Sequence, residues 1–185
     1  MVNKIFSRIK KELEKKDDLR EKIIKNSRPI IKKSKQAIYA LHRDSINEAK
    51  KDLDSAKSAL KKLKQDLSVG AYNAAVQEFV EAYLYYYFVK EDRLANNTEL
   101  KVDEENYLLG MCDLTGELAR RAVFSVVNEN YNEVEKIKDF VSIIHNEFLN
   151  FNLRNSELRK KSDSIKWNLK KIEEVLYDLK IREKI

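Results

Sequence analysis

Four carboxylates interrupt the two most apolar stretches of the chain, AYNAAVQEFVEAYLYYYFV at residues 71–89 and YLLGMCDLTGELARRAVFSVV at residues 107–127. They are Glu78, Glu81, Asp113 and Glu117. On helices, the first pair stands three residues apart and the second pair four, so each pair shares one helical face. Burying an unpaired carboxylate is costly, and no lysine lies one turn away from any of the four. Two such faces brought together make an oxygen-rich site for a hard divalent cation such as Mg²⁺ or Mn²⁺. That chemistry suits metal-assisted phosphodiester hydrolysis, in which carboxylates hold the ion, water and phosphate fill its remaining positions, and no histidine or nucleophilic side chain is required. The same acids could instead cap helices, bridge to lysines from elsewhere or lie on a solvated stripe. A di-iron carboxylate bundle asks for Glu-x-x-His on two helices, and the chain has no such tetrapeptide.

Other side chains are secondary candidates. His42, in LHRD at the end of the first helix, could meet a phosphate beside Arg43 or interact with the helix dipole. Lys32, Lys35, Arg43, Arg120 and Arg121 are candidate contacts to a nucleic-acid backbone. His145 reads as structural and Cys112 as a small buried apolar residue. Tyr83, Tyr85, Tyr86 and Tyr87 spread round a helix axis and so build core or subunit contacts, and Trp167 reads the same way.

Positioning these residues falls to long helices. One proline and three glycines in 185 residues leave too few turn formers for a strand protein, so the composition predicts an all-α single domain, residues 1–185. One cysteine excludes an internal disulfide framework and fits a reducing cytosol, hence a cytoplasmic protein. No signal-peptide pattern is present and no stretch reads as membrane-spanning, since residues 71–89 carry two glutamates. The net charge of +6 is a modest pointer to a polyanionic partner.

Apolar periodicity predicts a first helix running from Ile5 to Leu41 and kinked at Pro29. The series Ile46, Ala49, Leu53, Ala56, Leu60, Leu63, Leu67 is the seam of a second. The third, residues 71–89, is apolar nearly all round and belongs inside. Residues 91–101 read as a loop, and a fourth helix begins near Asp103, its Gly110 and Gly116 expected where another backbone approaches closely. A fifth spans Tyr131–Leu149, the region Asn150–Asn155 is a break, and a sixth continues to the C-terminus. The expectation is an antiparallel bundle of six or seven helices whose exposed seams favour self-assembly.

Three strings, SKQAIYALHR at 34–43, YLLGMCDLTGELARRAVFSVV, and NLRNSELRKKSDSIKWNLKKIEEVLYDLKIRE at 152–183, resemble the translin and translin-associated factor X (TRAX) family over nearly the whole chain. The resemblance implies seven helices, a closed octameric shell, and binding of single-stranded RNA or DNA on its inner surface. QEFVEA, with Glu78 and Glu81, and DLTGEL, with Asp113 and Glu117, are similar to the TRAX-type acids of a magnesium-dependent endoribonuclease, whereas the tail is closer to translin. Both characters in one compact chain imply an archaeal-type homologue that assembles with itself. The other reading is a non-catalytic nucleic-acid-binding shell in which the acids serve assembly.

Overall fold

The computed structural model describes residues 2–63, 65–66, 68–154 and 156–184. Among the described residues, seven helices follow in chain order: α1 Val2–His42, α2 Ile46–Lys62, α3 Gly70–Glu91, α4 Asn97–Leu100, α5 Glu104–Val127, α6 Tyr131–Leu149 and α7 Glu157–Ile181. No strand occurs among the described residues. No helix among them is long and apolar enough to cross a membrane. Leu67, the last member of the predicted α2 seam, and Asn155 lie outside the described residues.

Each helix ends where local chemistry ends it. Pro29 sits inside α1 without terminating it. The chain leaves α1 through Asp44 at φ 55°, and Ser45 N–H donates to the Ala40 carbonyl. Asp92 closes α3 in the left-handed conformation, its N–H donating to Phe88 O and Tyr87 O. Asp103 caps α5 by accepting from Asn106 N–H at 3.0 Å. The predicted loop at 91–101 needs correction. Asn96 accepts from Glu99 N–H while the Glu99 side chain accepts from Asn96 N–H, a capping box that starts the single turn of α4.

Packing follows the apolar faces. α1 lies against α2 and α3, α3 against α5, α5 against α7, and α6 against both α5 and α7. α3, with little amphipathic asymmetry, is enclosed as its composition predicts: Phe79, Val80, Leu84 and Tyr85 are all fully buried. Gly110 lets α5 approach α3 closely, because a β-carbon there would stand 2.7 Å from Val80 Cβ and 2.8 Å from the Gln77 carbonyl. Gly116 does not meet that expectation. A β-carbon there would only touch Asn168 Nδ2 at 3.7 Å. The N-terminal half of α1 projects beyond the bundle, leaving Val2, Ile5, Phe6, Ile9 and Leu13 exposed, and the first wholly buried α1 side chain is Ile23. Trp167 is 64% exposed, so of the two roles expected for it the core is ruled out and a contact made outside the chain remains.

Candidate functional site

α3 and α5 cross where Gly110 lets them touch, and α1 and α7 flank the crossing. Glu78 and Glu81 of α3 and Glu117 of α5 line one cleft of about 170 Å³ together with Lys35, Ile38, Tyr39 and Arg120. That volume exceeds the roughly 10–15 Å³ needed to seat one water. Asp113, one turn before Glu117, lies on the side facing α7.

Each acid has its own surroundings. Glu78 accepts from Lys35 Nζ of α1 at 3.2 Å. Asp113 accepts from Lys161 Nζ of α7 at 2.5 Å, and the same ammonium reaches Gln77 Oε1 at 3.3 Å. Burial raises the pKa of both acids in spite of these cations, whose charge pulls the other way. Glu117 meets His42 Nε2 at 2.5 Å and has Arg120 at 3.8 Å. Glu81 differs from all three. It is 9% exposed and has neither hydrogen bond nor ion pair among the described residues. Burial first, then the charges of Asp113, Glu78 and Glu117, push its pKa up to about 9. Glu81 is therefore the protonated centre of a carboxylate cluster at neutral pH.

His42 is placed otherwise than a phosphate contact requires. Its side chain is 5% exposed and both ring nitrogens are engaged within the chain. Tyr85, whose hydroxyl stays protonated because burial raises its pKa, donates to His42 Nδ1 at 3.1 Å, which leaves Nε2–H to donate to Glu117. Arg121 is likewise corrected as a backbone contact. Its guanidinium donates to Glu133 Oε1 at 2.6 Å, Asp44 Oδ1 at 2.9 Å and the Leu41 carbonyl at 3.1 Å, so it ties α5 to the end of α1 and the start of α6. Arg43 faces solvent and pairs with Glu48 at 3.2 Å, outside the cleft. Lys35 and Arg120 line the cleft, where Arg120 lies over the rings of Tyr39 and Phe124. Lys32 is exposed on α1. Cys112 is buried and its thiol is pushed up to about 12, which makes it inert.

Residues 18–183 match the translin family. The chain belongs to that family. An uncharacterized protein of Methanocaldococcus jannaschii is 33% identical to it over 183 residues, covering 92% of this chain and 82% of the relative. Translin-associated protein X of Pongo abelii is 27% identical over 225 residues, covering 96% of this chain and 78% of the relative. Among solved structures, AfC3PO in its complex with duplex RNA superposes with a TM-score of 0.85 at 23% identity, covering 96% of this chain and 97% of that one, a likeness of fold.

Within this translin-family bundle the acids fit a hard cation in type and in the unpartnered carboxyl at their centre. As they stand, no three His, Cys, Asp or Glu side chains among the described residues converge closely enough to hold a metal ion. Lys35 and Lys161 supply the positive charge that Glu78 and Asp113 need. Sequence reading did not find Lys161, Tyr39, Gln77 or Tyr85 as members of the site. Lys161 belongs to a run of charged residues in the tail, 48 residues from Asp113, and nothing in its local pattern distinguishes it from a solvated lysine.

Proposed function

We propose that this protein is a metal-dependent endoribonuclease that binds and cleaves single-stranded RNA inside a homo-oligomeric shell. The observation that carries the reading is Glu81, a buried carboxyl with no partner, ringed by three further acids. A protein retains so costly a group where its charge is to be met by something else. Glu78, Glu81, Asp113 and Glu117 would hold Mg²⁺ or Mn²⁺, which when bound supplies a water of lowered pKa and positive charge against the developing phosphorane. The chain's own residues do the rest. Glu81 gives up the proton it holds at neutral pH, and His42 fixes the orientation of Glu117 by donating to it. Lys35 and Arg120 offer cations to the RNA phosphates at the mouth of the cleft, and Tyr39 and Phe124 offer ring faces beside them. Family membership and the AfC3PO complex support RNA as partner, and the uncovered apolar face of α1 supports self-assembly.

A specific observation favours the second reading, a non-catalytic RNA-binding protein. Lys35, Lys161 and His42 already serve three of the four acids. One assay separates the two: cleavage of an end-labelled single-stranded RNA with Mg²⁺ or Mn²⁺, with EDTA, and in Glu81→Ala and Asp113→Ala. The nuclease reading expects cleavage that EDTA and either substitution abolish. Unaltered cutting by both variants, or no cutting with any divalent ion, rejects it.

A further inference from the structure

Exposed rings and unpaired cations meet on the flank of α7 turned away from the acid cleft. Lys161 and Asn168 point across to α5, where they reach Asp113 and Thr115, and Ile165 and Ile172 on the same side are fully buried. Lys166 stands five residues beyond Lys161, about 140° round the helix axis. There the helix borders α6 instead, and a groove of about 400 Å³ opens, lined by Phe148, Phe151, Arg159, Asp163, Lys166 and Trp167 among others.

The lining combines open rings with free charge. Trp167 is 64% exposed and Phe151 46%, and the Phe148 and Phe151 rings lie 5.7 Å apart. Lys170 Nζ sits 6.0 Å from the Trp167 ring. Arg159 and Lys166 have no ion-pair partner among the described residues, and Asp163 is the one carboxylate in the lining. Their positions are two turns, about 10 Å, apart along α7. The core of a protein interface is depleted of lysine and keeps charge at its rim. Bases, by contrast, stack on any aromatic face while their phosphates pair with neighbouring cations.

We propose that this groove, with Trp167 as stacking platform and Arg159 and Lys166 as phosphate contacts, binds single-stranded nucleic acid at a site separate from the acid cleft. It does not depend on what the acids do. Trp167 is the sole tryptophan of the chain, so its fluorescence reports on the groove directly. In EDTA, titrating the full chain with a short oligouridylate is expected to quench most of the emission, in Glu81→Gln as in wild type. Arg159→Glu with Lys166→Glu weakens the binding seen in that quench by about tenfold or more, and Phe151→Ala weakens it several-fold. Emission that does not move when RNA is shown by anisotropy to be bound overturns the proposal. So does a Trp167 shielded from acrylamide in the free protein because a second copy covers it. Loss of the quench in Lys32→Glu with Lys35→Glu, but not in Arg159→Glu with Lys166→Glu, assigns the strand to the cleft alone and also overturns it.

Discussion

Replacing Glu81 with glutamine keeps the shape of the side chain and removes its titration, so its effect on stability can be worked through. In the unfolded chain the carboxyl ionises at its ordinary value of 4.5, whereas in the folded protein it holds its proton up to about 9. The folded-state pKa is raised, so the stability this group contributes is complete below about pH 4.5 and is lost as pH climbs towards about 9. At about 1.4 kcal/mol per pH unit, the loss by pH 7 is about 3 kcal/mol, and relaxation of the cluster lowers that to about 2–3. In EDTA at pH 7, Glu81→Gln is therefore expected to be more stable than wild type by about 2–3 kcal/mol, or about 5–10 °C in Tm for a chain of this length. The gap should fall below about 1 kcal/mol near pH 5 and widen as pH approaches 9. Urea unfolding at a series of pH values measures it. Mn²⁺ adds a second arm, because cation binding needs the ionised carboxylate. The metal should stabilise wild type with release of a proton and leave the variant unchanged. A gap that is flat in pH, or that closes as pH rises, would refute the claim that Glu81 is a protonated acid strained by its carboxylate neighbours.

Four further outcomes are expected. Gly110→Ala should destabilise by about 2–4 kcal/mol because its methyl would collide with Val80 and the Gln77 carbonyl, whereas Gly116→Ala should stabilise by about 0.5–1 kcal/mol through helix propensity alone; thermal unfolding of the two compares them directly. Lys161→Met should leave Asp113 half-buried without its cation, costing about 1–2 kcal/mol in EDTA, while tightening Mn²⁺ binding in calorimetry because no ammonium competes. Lys35→Ala and Arg120→Ala should each weaken RNA binding and reduce its salt slope by about 1, and Lys35→Ala should also cost some stability because Glu78 loses its cation. Arg121→Ala should instead lower stability by about 3 kcal/mol, since Glu133 and the end of α1 lose a buried partner.

Much of the fold was legible in the chain. The all-round apolarity of 71–89 marked α3 as the central helix, and the acid-rich start at Asp103 marked the N-terminus of α5, because burial and capping leave periodic or positional traces. The turn at α4 was missed because Asn96 and Glu99 differ from loop residues only by the reciprocal hydrogen bonds they make. Trp167 stayed open between core and subunit contact because a large ring on an amphipathic helix carries no sign of which face it takes. His42 and Arg121 looked like phosphate contacts because charge and position near a helix end are visible in the sequence. The partners that commit them, Glu117 and Tyr85 for one and Glu133 for the other, are separated from them along the chain by stretches that periodicity does not connect.

From the sequence alone came the helices, the interior position of α3 and the pairing of acids on single faces, since these follow from the repeat of one helix and the cost of exposing apolar surface. Only the folded chain decided that Lys35, Lys161 and His42 would each answer one acid and leave Glu81 with none. The physical reason is that the charge state of a buried carboxyl depends on what other helices bring within a few ångströms of it, and that distance is not written in the spacing of residues along any one of them.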